Sequence, residues 1–327
     1  MLTVLARAGD NRFERCPPEE LPRLLATPES FVWVDLEAAE PDEVAVLADV
    51  FNFHPLTIDD CLNQYVDPPK ADDYGDYLFL VVQGIAFSPE TVLQAESVET
   101  TELNIYLGRS YVVSFHQRPL PSVSETRGRC ERSAPLPARG PDWLTHALLD
   151  TLVDQLLPAV EAMDERIAEL QDEAIESPDR ALMERLVGLK RCTLRLRRLM
   201  APQRDVINRM ARGDFPALVS QEIHIHFRDI YDHLVRLESM VEGLRDLNDG
   251  AISTYLATVN NRLTEITKAL SVAGTVFLPL TLVASIFGTN FSPTYEAWGW
   301  AGFLGMCAFM LLIMVGLAAW FRHRDWM

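Results

Sequence analysis

No Cys-x-x-Cys pair occurs in the chain, and the five cysteines (Cys16, Cys61, Cys130, Cys192 and Cys307) are scattered and odd in number. That excludes a disulfide framework and a thiolate metal site, and it suits a reducing compartment. Also missing are a phosphate-binding loop, a dinucleotide fingerprint, a nucleophile elbow and an HExxH helix, so no enzyme class and no cofactor are indicated. Basic residues are in short supply: 29 Lys and Arg stand against 47 Asp and Glu, a net charge of −18. So acidic a chain repels nucleic acid and concentrates cations near its surface. Residues 1–10 lack a basic start followed by an apolar stretch, so no cleaved signal peptide is expected. The 268 residues ahead of the first apolar run are then expected to remain in the cytoplasm.

Charge itself is absent from two runs near the C-terminus, residues 269–287 and 297–321, of 19 and 25 residues. A helix needs roughly 20 apolar residues to cross a bilayer core. Lipid offers the backbone no hydrogen-bond partner, so both runs are predicted transmembrane helices, joined by the external loop 288–296. Tyr295, Trp298 and Trp300 mark one interface; Trp320 and Trp326 mark the other. Arg262 and Lys268 precede the first run, Arg322 and Arg324 follow the second, and the loop has neither Lys nor Arg. Both termini, including the tail 322–327, are therefore expected on the cytoplasmic side of the cell (inner) membrane.

Ahead of the membrane the chain divides into a mixed α/β domain (1–120), a Pro-rich connection (121–140) and a helical stalk (141–268). Strands are predicted at 2–6, 31–36, 77–87, 102–107 and 111–115, where Val, Tyr, Phe and Ile concentrate. Helices are predicted at 41–51 and 54–63, with Pro41 and Pro55 in their first turns. The order of neighbours implies a mixed sheet. Ser177 and Pro178 suggest the cap and first turn of a helix over 178–211, which Gly213 and Pro216 end. One helix then runs from about 217 to 287, about 105 Å at 1.5 Å per residue. A helix so long needs partners along its length, so a symmetric oligomer is expected. The fold class is an α+β membrane protein.

At 100° per residue, Thr264, Thr267, Ser271, Gly274, Leu278, Thr281, Ser285 and Gly288 fall within about a third of the helix circumference. All but Leu278 are small or polar. Such a stripe marks either close helix packing or a hydroxyl-lined channel interrupted by a ring of Leu278. The first run holds no Asp, Glu or His, which suits an ion that keeps much of its water.

Residues 255–291, YLATVNNRLTEITKALSVAGTVFLPLTLVASIFGTNF, resemble the signature helix and mouth of the CorA superfamily of divalent-cation transporters. The matching elements are Tyr255, Asn261, Lys268, Leu270, the Pro279–Thr281 triplet, and Gly288-x-Asn290 followed by Phe291. HPLTIDDCLN at 54–63 and FRDIYDH at 227–233 resemble the same family. The resemblance implies a homopentameric funnel whose first span, with Leu270, Leu278 and Thr281, lines the pore. It implies an entrance ring of Asn290 that binds a hydrated ion. The mouth set is Gly288, Thr289, Asn290 and Glu296, the last being the one external acid. Where the magnesium branch has Gly-Met-Asn, this chain has Thr289 in the middle, and Thr264 and Thr267 replace that branch's polar Asn and Met. Asp229 matches one aspartate of the family's regulatory metal site, while the other falls near Ser88. These departures lean toward the ZntB-like zinc branch. The alternatives are a magnesium channel of the CorA type and a non-conducting, membrane-anchored metal sensor.

His226, Asp229 and His233, at i, i+3 and i+7, share one helical face and form a candidate cytoplasmic metal site. His224 points nearly the opposite way. Hydrogen-bonded polar residues on a stalk face give the same spacing.

Overall fold

Runs of Val, Leu, Ile and Phe fit a pleated, two-sided interior, and they build the N-terminal sheet. The structure is a computed structural model that describes residues 1–7, 13–28, 30–63, 67–86, 99–132, 139–288 and 299–324. The sheet holds β1 (Leu2–Arg7), β2 (Phe13–Cys16), β3 (Val32–Glu37), β4 (Lys70–Asp73), β5 (Tyr77–Ala86), β6 (Glu99–Gly108) and β7 (Tyr111–His116). Their order is β2-β1-β3-β7-β6-β5-β4. The β3–β7 pair is parallel and the other pairs are antiparallel, so the sheet is mixed, as the sequence predicts. Val32, Trp33, Val34 and Leu36 on β3, and Val112, Val113 and Phe115 on β7, are fully buried.

Helix α1 (Leu21–Ala26) follows β2. Helix α2 (Pro41–Asp49) opens with a capping box between Glu40 and Glu43, and α3 (Pro55–Leu62) opens with the His54 ring accepting from the Leu56 N–H. Both first turns carry the expected proline. Most of the Pro-rich connection is α4 (Pro121–Arg132), because Pro121 sits at the helix start and no proline follows within it.

Three helices come next: α5 (Pro141–Asp154), α6 (Leu156–Glu176) and α7 (Arg180–Arg212). The cap of α7 is Asp179, not Ser177. Asp179 Oδ1 accepts from the Leu182 N–H at 2.6 Å, while Ser177 closes α6 by donating its N–H to the Glu173 carbonyl. Gly213 ends α7 at φ 77°, where a Cβ would meet the His224 ring at 2.5 Å, so glycine is required twice over.

After a 3-10 turn at Gln221–Ile223, α8 (His224–Gly288) runs for 65 residues through Gly243, Gly250, Gly274 and Pro279 without a break. The last helix is α9 (Gly299–His323). The chain forms two compact units, Met1–Ser253 and Thr254–Met327, and α8 contributes to both. In the first unit α8 buries Phe227, Ile230, Leu234, Leu237, Val241, Leu244, Asn248 and Ala251 at three- and four-residue spacing. Three ion pairs tie that stretch to α7: Lys190–Asp249 at 2.7 Å, Arg197–Glu242 at 3.7 Å and Arg204–Glu238 at 2.6 Å.

Candidate ion pathway

The second unit contains two helices long and apolar enough to cross a membrane, α9 and the C-terminal part of α8. Trp300 and Trp320 near the ends of α9 are exposed, and the Arg324 guanidinium lies 5.7 Å from the Trp320 ring. That arrangement suits a headgroup interface.

Within this unit α8 has two different sides. Thr254, Thr258, Val272, Val276, Pro279 and Val283 are half-buried and recur along one side. The small and hydroxyl stripe lies on the opposite side: Thr264, Thr267, Ser271, Thr281, Ser285 and Gly288 are exposed and Gly274 is half-buried. Leu270 and Leu278 belong to that open side, at 73% and 72% exposure. The structure therefore gathers the predicted lining residues on one uncovered face.

Two of its hydroxyls, those of Thr264 and Thr281, are already committed. Thr264 donates to the Asn260 carbonyl and Thr281 to the Phe277 carbonyl, each at 2.8 Å. Off the stripe, Thr275 donates to the Ser271 carbonyl at 2.8 Å. A hydroxyl that spends its proton on the preceding turn keeps its lone pairs. It can then only accept, which is what the water shell of a cation requires. Pro279 has no N–H to give the Thr275 carbonyl, so one more backbone acceptor is freed in the same turns. Of the mouth residues, Gly288 ends α8, whereas Thr289, Asn290 and Glu296 lie outside the described residues, as do Tyr295, Trp298 and Trp326.

The stalk residues behave differently. His226, Asp229 and His233 keep to one face of α8, but their ligand atoms do not draw together. His226 packs against Trp143, with ring centroids 4.8 Å apart, and edge-on to His146 at 5.7 Å. His233 Nδ1 lies 3.7 Å from Asp154 Oδ1. Opposite them α5 presents His146, Asp150 and Asp154. Burial pushes His146 down to about 4, which keeps its ring neutral, and burial raises both aspartates. Among the described residues, the one set of three His, Cys, Asp or Glu ligand atoms within 4.8 Å of each other is Asp35, Glu37 and His116. That set is not among the residues predicted from the sequence. Its one sequence-level signal is the Asp-x-Glu alternation that puts two acids on one strand face.

The family described as CorA-like Mg2+ transporter protein matches residues 28–323. The putative metal ion transporter YfjQ of Bacillus subtilis (strain 168) is 32% identical over 91% of this chain and 90% of its own. The cobalt/magnesium transport protein CorA of Thermotoga maritima is 29% identical, over 90% of this chain and 83% of its own. The zinc transport protein ZntB of Yersinia enterocolitica is 27% identical, over 94% and 91%. The complete structure of the CorA magnesium transporter from Methanocaldococcus jannaschii shares the fold, with a TM-score of 0.84 at 19% identity over 99% of this chain and 98% of that one. Two apolar spans, an uncovered hydroxyl face along the first of them, and these matches have one meaning: the chain belongs to the CorA-like Mg2+ transporter family, whose members are divalent metal ion transporters and not enzymes.

Proposed function

We propose that the chain assembles as a homopentamer in the cell (inner) membrane and conducts a hydrated divalent cation along its symmetry axis, zinc before magnesium. The observation that carries this reading is the open face of α8 from Thr264 to Gly288, whose bound hydroxyls are left as acceptors. Copies that turn this face toward a common axis enclose a wet conduit, with Leu278 as its apolar constriction. Gly288, Thr289, Asn290 and Glu296 form the mouth. Five Asn290 carboxamides accept from the hydrated ion, and Glu296 draws cations toward them. Both termini face the cytoplasm, as the Lys and Arg flanks require. In this reading His226, Asp229 and His233 line the stalk and hold no ion within one protomer, because His226 is stacked on Trp143 and His233 is paired with Asp154.

Zinc is placed first because Thr289, Thr264 and Thr267 stand where the magnesium branch has other side chains. Magnesium is the second reading, and the oxygen-only lining favours it: zinc prefers nitrogen and sulfur, magnesium prefers oxygen with retained water. Parallel uptake of the two ions into liposomes decides. Zinc uptake without magnesium uptake supports the first reading. Magnesium uptake blocked by a hexammine mimic of the hydrated ion supports the second. No flux of either, with metal binding retained, rejects both and leaves a sensor. Asn290→Ala should cut flux while the oligomer survives; unchanged uptake removes Asn290 from the mechanism.

A further inference from the structure

Three side chains from two strands meet where the parallel strand pair ends. Asp35 and Glu37 are two residues apart on β3 and share a face. The β3–β7 register sets Ser114 opposite Asp35 and His116 opposite Glu37. One ligand atom from each of Asp35, Glu37 and His116 lies within 4.8 Å of the others. Asp35 and His116 are each 1% exposed, and Glu37 is half-buried.

The hydrogen bond to Arg118 fixes one of the two possible imidazole protons. His116 Nδ1 lies 2.7 Å from the Arg118 carbonyl oxygen. A carbonyl only accepts, so Nδ1 carries the proton, and in the neutral ring Nε2 is a bare lone pair. That Nε2 is buried, makes no hydrogen bond, and lies 3.3 Å from Asp35 Oδ1. Two lone pairs at this distance repel unless a proton or a metal ion sits between them, and the Asp35 carboxylate favours either positive charge at Nε2. The separation also equals the edge of a tetrahedron whose ligands lie about 2.0 Å from its centre, which is about 3.3 Å. The carboxylate is held from behind. Ser114 Oγ donates to Asp35 Oδ1 at 2.5 Å and itself accepts from Trp33 Nε1 at 2.9 Å, while Arg127 pairs with Asp35 Oδ2. An imidazole whose far nitrogen donates to a backbone carbonyl, beside a hydrogen-bonded carboxylate, is the usual setting of metal ligands.

We propose that Asp35, Glu37 and His116 bind one divalent transition cation of the zinc type, with water in the open position. One imidazole nitrogen and two carboxylate oxygens suit such an ion. They do not suit magnesium, which demands six oxygens and keeps its water. With Arg127 paired to Asp35, the two carboxylates and a divalent ion leave one net positive charge, where they would leave none without the guanidinium. The site lies in the N-terminal sheet and stands apart from whichever ion crosses the membrane.

The test uses full-length protein in detergent, stripped with chelator and titrated with Co2+ alone. Tetrahedral cobalt absorbs strongly in the visible, whereas hydrated octahedral cobalt along an oxygen-lined conduit absorbs weakly, so the two locations are separable. An intense band is expected that saturates at one Co2+ per chain and is displaced by Zn2+ but not by excess Mg2+. Glu37→Gln and His116→Gln should each remove the band and weaken binding by about 10–100-fold or more, beyond what loss of an outer-shell partner costs. Glu37→Gln should keep the melting temperature of the metal-free protein, since Glu37 is half-buried and the amide keeps its shape. Absence of the band in the wild type overturns the proposal, and so does a band that survives His116→Gln. Either result leaves a proton between His116 and Asp35, in an imidazolium–carboxylate–guanidinium network that serves the fold alone.

Discussion

The two stretches of α8 share one uninterrupted backbone and bury different amounts of it. From His224 to Ser253 eight side chains are buried, from Phe227 to Ala251, on a stripe facing the rest of the first unit. From Thr254 to Gly288 none of the described side chains is buried, and large apolar ones such as Phe277 and Leu282 are 67% and 61% exposed. The first stretch is held by its own protomer, through water-driven burial. The second offers hydrophobic surface that only lipid or other copies can cover, and lipid supplies no hydrophobic drive between helices. What distinguishes the stretches is thus the solvent for which each was written. The same substitution should read out differently in each.

Leu234 and Leu278 give the widest contrast. Leu234 is fully buried and Leu278 is 72% exposed. Leu234→Ala should cost the first unit about 2–5 kcal/mol, through lost transfer energy and the cavity left behind. Thermal unfolding in detergent would register this. Leu278→Ala should leave that unfolding unchanged and alter ion flux instead, because it widens the constriction. Equal losses of stability from both would end the distinction between the stretches.

A pH profile sharpens the comparison inside the first unit. Burial pushes His146 down to about 4 from 6.5, so the folded ring stays neutral where the unfolded one takes a proton. The stability it contributes is complete above about pH 6.5 and is lost as pH falls toward 4, on the order of 3 kcal/mol. His146→Gln should flatten the profile over that window. The difference between wild type and variant isolates the ring, because Asp150 and Asp154 beside it are raised by burial and act with the opposite sign. A wild-type profile matched by the variant between pH 4 and 6.5 would show that the ring is solvated.

How much could be read in advance followed the same division between local pattern and distant pairing. Strands β1, β3, β5, β6 and β7 announce themselves through runs of Val, Ile, Tyr and Phe. The missed strands, β2 (Phe13–Cys16) and β4 (Lys70–Asp73), are the two edges of the sheet, four residues each and mostly polar. Edges carry charge to resist pairing with other chains, which erases the strand signal. Helix α1 was too short to show periodicity. The sequence points to a cap at Ser177 because Ser177-Pro178 has the same chemistry two residues earlier, and only the hydrogen bond from the Ser177 N–H to the Glu173 carbonyl shows that Ser177 closes α6 instead. The lining stripe was legible because a helical period fixes it within one segment. His226, Asp229 and His233 were placed on a shared face for the same reason, but which neighbours would occupy them was not in that pattern. The set of Asp35, Glu37 and His116 was out of reach, because it depends on a parallel pairing of strands that lie nearly eighty positions apart in the chain.

Smaller effects test the contrast at its seam. Lys190, Arg197 and Arg204 recur every seven residues on α7 and meet Asp249, Glu242 and Glu238 on α8. These pairs are partly solvated, so each contributes about 0.2–1 kcal/mol and is weakened by salt. Arg204→Ala should therefore lower stability slightly at low ionic strength, and the deficit should shrink in high salt.

Thr281→Val should change stability least of all. The hydroxyl of Thr281 bonds to the Phe277 carbonyl, which the helix already engages, so its removal strands no buried group. Valine keeps the shape, and the change in unfolding should stay within about 0.5 kcal/mol. Flux is the discriminating readout. If the open face meets water and a passing ion, loss of the acceptor oxygen should slow conduction in the variant while the oligomer persists. If the face is instead packed dry against a neighbouring helix, valine should leave flux untouched and should stabilise the assembly. Only the first outcome is compatible with a stripe whose hydroxyls turn their lone pairs outward.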